Sequence, residues 1–245
     1  ATAAEAASEA EEAASAAMQA AGNGAISEAE AQAAVAVAAE HEAAARQRSA
    51  RNAALARLGL RTFLTMVLRN NFVHADLHPG NILYLGEDAA SGQSRLGIVD
   101  AGLVVELSPR DRRNFLLLFR AIGRGDGALA GELMLSHARE ERCTEPEAFK
   151  AGMKRLVDGA HAGKRGAFNL RNLRIGEVLL EVTDLVRNHR VQADPTFTTL
   201  VTAIVVLEGL GRQLDPTLDL FTVAETIWGS GEWLAPILGS SYGYA

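Results

Sequence analysis

Between residues 72 and 102 the chain sets polar groups at fixed spacings around two short apolar runs, and no other stretch restricts its fold as much. Residues 72–85 read Phe-Val-His-Ala-Asp-Leu-His-Pro-Gly-Asn-Ile-Leu-Tyr-Leu, which places His74, Asp76, His78 and Asn81 close together. The run Ile82 to Leu85 predicts a strand. A polar loop over 86–95 and a second run, Leu96-Gly97-Ile98-Val99, predict its hairpin partner, with Asp100-Ala101-Gly102 directly after it. The hairpin therefore carries carboxylates and an amide at its two ends, the hard oxygen donors that suit Mg²⁺. A second chemistry takes His74, Asp76, His78 and Asp100 as ligands of a hydrolytic transition metal, because imidazole and carboxylate suit zinc or iron. That reading leaves Asn81 and Gly102 without a role.

The order His-x-Asp, Asn five residues after the Asp, a strand, then Asp-x-Gly matches the catalytic loop of the protein-kinase signature set. Phosphoryl transfer needs a carboxylate that accepts or orients the incoming hydroxyl, here Asp76. It also needs oxygen ligands for Mg²⁺ on the phosphates, here Asn81 and Asp100. His74 braces the loop in this reading, and Gly102 permits the turn after the metal ligand. His78 stands where many kinases carry a lysine and supplies a weaker, pH-dependent donor.

The segments His-Ala-Asp-Leu-His-Pro-Gly-Asn-Ile-Leu (74–83) and Val-Asp-Ala-Gly (99–102) resemble the UbiB/aarF-domain family of atypical kinase-like proteins. The resemblance continues in Glu-Leu-Ser-Pro-Arg-Asp-Arg-Arg-Asn-Phe (106–115) and Leu-Glu-Gly-Leu-Gly-Arg-Gln-Leu-Asp-Pro (207–216), and covers about residues 53–225. Ala101 in place of Phe, and His-Ala-Arg at 137–139, are similar to the mitochondrial aarF-domain subgroup. The resemblance implies the C-terminal lobe of a kinase-like fold that uses ATP and Mg²⁺ and supports ubiquinone or other prenyl-quinone synthesis. It further implies a lipid or quinone-intermediate ligand, peripheral membrane contact, a homodimer or biosynthetic complex, and a mitochondrial or plastid location. Two alternatives stay open: a non-catalytic pseudokinase scaffold, and a small-molecule phosphotransferase of the aminoglycoside or choline type, which shares the H-x-D-L-H-x-x-N core.

The fold expected from the rest is mainly α. Leu55, Leu58, Phe63, Leu64 and Val67 predict a helix over about 53–70, ended by Asn70-Asn71. Ser108-Pro109 is a helix start, with Ser as N-cap, Pro in the first turn and Asp111 favouring the dipole. Phe115, Leu116, Leu118, Phe119 and Ile122 form its buried stripe, and Gly123 and Gly125 stop it. Further helices are expected over about 126–138, 145–162, 174–190 and 195–213, the last with Leu200, Ile204, Leu207 and Leu210 on one stripe. Phe115, Phe119 and Trp228 read as core. His137, His161 and His189 read as surface or helix-end residues, and Cys143 as a surface thiol. Lys164, Arg165, Arg171 and Arg174 form a basic stretch read as a solvated loop.

Residues 1–52 form an Ala/Glu-rich low-complexity spacer, helical or disordered, before a kinase-like lobe over 53–245. The first 50 residues hold 24 Ala, eight Glu and two Arg, so the net charge of −6 resides there and the remainder is neutral. Such a balance argues against a nucleic-acid binder. The acidic composition also excludes a transit peptide. A single cysteine excludes an internal disulfide. Only five residues separate Gly102 from Ser108, leaving no room for a long activation segment or an A-P-E motif. All three lysines, Lys150, Lys154 and Lys164, follow Asp100, so the phosphate-anchoring lysine of a kinase N-lobe is missing. The expectation is a C-terminal piece of a longer protein, inactive by itself.

Overall fold

The computed structural model describes residues 3–136, 143–161, 175–191 and 195–229, together with position 237. The chain divides into two compact units, Ala1–Leu55 and Ala56–Ala245.

The first unit contains helix α1 (Ala3–Gly22) and the greater part of α2 (Glu28–Leu64). Gly24, at φ 73°, takes the left-handed turn between them. Ser27 caps α2: the Glu30 amide donates to its Oγ, while its own amide and hydroxyl donate to the Glu30 carboxylate at 2.8 Å. This is a reciprocal capping box. Ala31 and Ala38 are the buried side chains of this unit among the described residues.

The helix expected over 53–70 is instead the last part of α2. Nothing between Glu28 and Leu64 breaks it, because Ala, Arg, Glu and Gln all favour the helix. It also ends earlier than the sequence predicts, at Leu64, and widens into a π turn over Thr65–Asn70. Asn71, at φ 54° and ψ 35°, closes the turn in the left-handed region, and its amide donates to the Met66 carbonyl.

In the second unit four short strands follow. Strand β1 (Val73–His74) pairs antiparallel with β4 (Val104–Val105), Val73 opposite Val105 and His74 opposite Val104. Strand β2 (Ile82–Glu87) pairs antiparallel with β3 (Ser94–Ile98), and Ile82 faces Ile98. The helices are α3 (Pro109–Gly123), α4 (Gly127–Ser136), α5 (Pro146–His161), α6 (Ile175–Asn188), α7 (Pro195–Leu214) and α8 (Leu220–Trp228). This mainly helical chain with a small hairpin is the architecture of a kinase-like C-terminal lobe.

Ser108 caps α3 as expected, accepting the Asp111 amide at 3.1 Å, with Pro109 in the first turn. Helix α3 is buried more widely than one stripe, since Leu117 and Ala121 are buried too. Its Phe115 and Phe119 stack at 5.8 Å, and Phe119 also meets Phe221 at 5.1 Å and Trp228 at 5.5 Å. These aromatic rings are core.

Helix α8 has no counterpart among the sequence expectations, although Asp219 caps it by accepting the Phe221 and Thr222 amides. One single-residue reading changes: Cys143 is half-buried and packs on the core. His189 is a helix-end residue as expected, just past α6, and lies edge-on to Phe149 at 5.9 Å. The basic stretch over 164–174 and His137 lie outside the described residues. Among the described residues no helix is long and apolar enough to cross a membrane.

Candidate functional site

The site grows from the β1–β4 ladder. Beyond Val73 and His74 the Ala75 amide donates to the Leu103 carbonyl at 3.0 Å, which continues the pairing by one residue. Residues 76–102 therefore leave and re-enter the fold at one narrow base. Within that excursion, His78 to Asn81 forms a single 3₁₀ turn over Pro79–Asn81, and β2 and β3 form the hairpin.

His74 joins the two ends of the excursion. Its ring is buried, Nδ1 accepts the Asp76 amide at 3.3 Å, and Nε2 lies 3.2 Å from the Val99 carbonyl. The first contact makes Nδ1 an acceptor, so the ring hydrogen sits on Nε2 and donates to Val99. One imidazole thus holds the amide of Asp76 and the carbonyl before Asp100. With both nitrogens engaged, His74 has no lone pair for a metal. Among the described residues no group of three or more His, Cys, Asp or Glu is gathered to hold one. The zinc or iron reading therefore loses its first ligand.

Asn81 adds a second tie. It is buried, its Nδ2 donates to the Asp76 carbonyl at 3.0 Å, and its own carbonyl accepts the Val99 amide at 3.0 Å. Its Oδ1 is the atom left to offer a cation. The exposed Asp76 and Asp100 side chains lie on the two strands of backbone that His74 and Asn81 bind together. Asp100 itself adopts φ 57°, a left-handed conformation uncommon outside glycine. The sharp turn falls on Asp100 and not on Gly102. What Gly102 supplies is space: a Cβ there would stand 3.3 Å from Asp100 Oδ1.

His78 is exposed and caps the 3₁₀ turn, its Nδ1 accepting the Gly80 amide at 3.1 Å. The ring leaves no room for a side chain at 80, where a Cβ would meet His78 Cε1 at 2.9 Å. The same argument as for His74 puts the ring hydrogen on Nε2, the edge away from the turn.

Oxygen donors of this kind fit Mg²⁺: the Asp100 carboxylate and the Asn81 amide oxygen are hard ligands, and the exposed Asp100 has room for further ligands from phosphate or water.

Two residues that the sequence did not single out anchor this base. The Asn71 carboxamide makes two hydrogen bonds to Leu107, Nδ2 donating to its carbonyl at 2.8 Å and Oδ1 accepting its amide at 3.2 Å. Arg112, from the first turns of α3, donates from Nη2 to the carbonyls of Leu68 at 3.2 Å and Arg69 at 2.6 Å. Burial lowers the Arg112 guanidinium from its ordinary value. The Asn-Asn pair read as a helix stop was the available signal for the first. For Arg112 none existed, because its partners lie far upstream.

The stretch 207–216 also has a structural content. Arg212 Nε pairs with the buried Glu208 at 3.0 Å. Asp215, buried as well, accepts the Thr217 amide and hydroxyl and stands 3.5 Å from Arg57. Gly211 lies against Leu218, whose side chain occupies the space a Cβ would need.

Comparison with known proteins gives the family. A family model described as the ABC1 atypical kinase-like domain matches residues 34–134, and one described as the UbiB helical domain matches residues 166–219. An ABC1 family protein of Saccharomyces cerevisiae, YPL109C, mitochondrial, is 33% identical over 65% of this chain and 30% of its own length. The ABC1 family protein C21C3.03, mitochondrial, of Schizosaccharomyces pombe is 33% identical over 71% of this chain and 30% of its own. A Shewanella baltica protein named "Probable protein kinase UbiB" is 32% identical over 76% of this chain and 32% of its own. The chain spans about a third of the length of the curated relatives it matches. No solved structure matches it. With the catalytic-loop pattern folded at the base of a helical lobe, one domain match spanning it and a second downstream, the chain belongs to the ABC1/UbiB family of atypical kinase-like proteins.

Proposed function

We propose that this chain is the catalytic-loop lobe of a Mg²⁺- and ATP-dependent atypical kinase or ATPase, acting in ubiquinone or related prenyl-quinone metabolism. The observation that carries the reading is the double tie across the excursion. His74 and Asn81 each bind the backbone of both the Asp76 loop and the segment leading into Asp100. Such preorganisation lets fixed groups meet a transferring phosphoryl without reorganising at the moment of reaction.

In this reading Asn81 Oδ1 and the Asp100 carboxylate would hold Mg²⁺, which supplies charge stabilisation at the phosphates when bound. Asp76 orients the attacking hydroxyl or water and accepts its proton. His78 offers its Nε2–H to a phosphate oxygen. His74 does not touch the substrate; it keeps the Asp76 amide and the Val99 carbonyl in register. Names of relatives supply the setting: the yeast proteins are called mitochondrial, and the bacterial one carries the UbiB name. A mitochondrial location, a quinone-type or lipid ligand, membrane-peripheral contact and assembly in a dimer or biosynthetic complex belong to this proposal.

No lysine precedes Asp100 among these 245 residues to anchor the ATP phosphates, so the segment by itself is expected to be inactive. The test therefore uses the longest natural chain that contains it. That protein should hydrolyse ATP only with Mg²⁺, and Asp100→Asn should lower turnover at least about a hundredfold, because a bound metal supplies several kcal/mol of charge stabilisation. Asn tolerates the left-handed backbone that Asp100 occupies, so the variant changes the ligand and not the turn. Unchanged turnover sinks the assignment. ATP binding without turnover in the unsubstituted protein favours the scaffold reading, and stoichiometric transfer of phosphate to a soluble alcohol favours a small-molecule kinase.

A further inference from the structure

We infer that the Asn71 carboxamide is a third rung of the β1–β4 ladder, and that Asn71 is a further positioning residue, fixing from the base of the excursion the register in which His74 and Asn81 tie the Asp76 loop to the Asp100 loop. The positioning half of this rests on the reading of those loops given above; the rung itself does not.

The register supplies the first argument. Ala75 faces Leu103, Val73 faces Val105, and the same antiparallel register places Asn71 opposite Leu107. Hydrogen-bonded pairs in an antiparallel ladder recur every second residue, so 71 and 107 is the next position at which a rung is due. The Asn71 backbone does not make it. Its φ of 54° turns the chain away from the strand, and its N–H is committed to the Met66 carbonyl at the end of the π turn. A carboxamide carries the same donor and acceptor as a peptide group. The Asn71 side chain presents both to Leu107 at 2.8 and 3.2 Å, so it replaces the missing peptide in register.

A second, independent contact secures the same joint. Leu107 immediately precedes the Ser108 cap of α3, and Arg112 in the first turns of that helix donates to Leu68 and Arg69, just before Asn71. The end of the π turn and the start of α3 are thus tied to each other just outside the rung. Arg112 Nε is buried without a hydrogen-bond partner, so the guanidinium is held here at some desolvation penalty.

The consequence lies at the far end. Everything between Asp76 and Gly102 stands beyond this short ladder, and the ladder's register decides which residue of one loop faces which of the other. The regular strand pair is only two residues long, so few backbone rungs hold its register, and a slip would carry Asp100 away from Asn81 and Asp76. Asn71 adds the rung that pins it.

The test compares Asn71→Gly and Asn71→Asp with the unsubstituted protein, in the longest natural chain containing these residues. Gly keeps the left-handed turn and deletes the rung. Asp keeps the acceptor for the Leu107 amide and sets a carboxylate against the Leu107 carbonyl. Amide hydrogen exchange over 103–107 is expected to quicken about tenfold in Asn71→Gly, the loss of a hydrogen-bonded pair. The Mg²⁺ concentration giving half-maximal ATP turnover is expected to rise severalfold. Should Asn71→Gly fail to fold, Asn71→Asp carries the test with a smaller change in the same direction. Exchange within twofold of the unsubstituted protein overturns the rung. A fall in kcat with an unchanged Mg²⁺ requirement overturns the positioning role, because a merely structural residue lowers only the folded, active fraction. If the unsubstituted protein hydrolyses no ATP, the functional reading fails, and exchange alone decides the rung.

Discussion

The two units of this chain hold their helices by different physics. In Ala1–Leu55 nearly half of the side chains are alanine, Ala31 and Ala38 are the buried ones described, and Met18 and Val37, among the few larger residues, are exposed. Alanine buries little apolar area, so these helices depend on intrinsic propensity, on the Ser27–Glu30 cap and on local pairs such as Glu42 with Arg46. In Ala56–Ala245 the same kind of backbone is held by burial. Phe63, Leu64, Val67 and Leu68 are wholly enclosed, and α3 is buried from Phe115 to Phe119 and at Ala121 and Ile122. Helix α2 belongs to both regimes, since one continuous helix changes from alanine to large apolar residues along its length. Secondary structure is therefore a poor guide to which part of this chain is a folded domain, and side-chain volume is a better one.

The difference can be broken most strongly at Phe63. Its side chain is fully buried, and Phe63→Ala should cost about 3–5 kcal/mol, lowering the denaturant midpoint of the second unit sharply. Met18→Ala, 58% exposed in the first unit, should stay within about 0.5 kcal/mol. Equal effects would mean that the two regions share one mechanism. A smaller effect is expected at the α4–α5 contact. A Cβ on Gly127 would lie 2.7 Å from Lys154 Cα and 2.9 Å from the Met153 carbonyl, backbone atoms that cannot swing aside. Gly127→Ala should therefore cost about 1–3 kcal/mol by overpacking, read as a lower thermal midpoint. In an alanine-rich helix without close neighbours, Gly→Ala ordinarily stabilises. A stabilised Gly127→Ala would show that α4 and α5 do not pack this closely.

Legibility in the sequence followed the range of the interactions. The groups His74, Asp76, His78, Asn81 and Asp100 were legible because their pattern lies within one short excursion and its hairpin. The Ser108 cap was legible for the same reason, its partner Asp111 being three residues on. The Ser27–Glu30 box has an equally local signature, Ser-x-x-Glu, which the compositional reading of residues 1–52 did not use. Asn71 and Arg112 were not legible. Their partners are 36 and more than 40 residues away in sequence, and no local pattern distinguishes an asparagine that ends a helix from one that completes a ladder. Gly102 was assigned a turn that Asp100 makes, because glycine is the ordinary owner of positive φ and an aspartate there gives no warning. Helix α8 shows the opposite failure: Asp219 and the apolar pattern through Ile227 carried the signal, and it went unread.

The smallest expected effect lies in the first unit and concerns pH. The Glu30 carboxyl is lowered from its ordinary value of 4.5, chiefly by the Ser27 amide and then by the Ser27 hydroxyl. A carboxyl depressed on folding adds stability that is present above its unfolded value and disappears as pH falls through the folded value. The start of α2 should thus be fully capped at neutral pH and should fray as pH falls below about 4.5. Protonated Glu30 loses the charge that makes it a strong acceptor for both Ser27 donors. The effect should be seen at Ser27 to Ala31 by amide chemical shift, with Ser27→Ala fraying the turn at every pH and Glu30→Gln removing its pH dependence. The second unit's α3 carries a similar cap at Ser108 and Asp111, but its helix is clamped by buried Phe115 and Leu116. If capping matters only where packing is absent, α3 should keep its first turn at a pH where α2 has begun to lose it. Fraying of both helices together would show that the cap, and not the packing, holds the helix start in each unit.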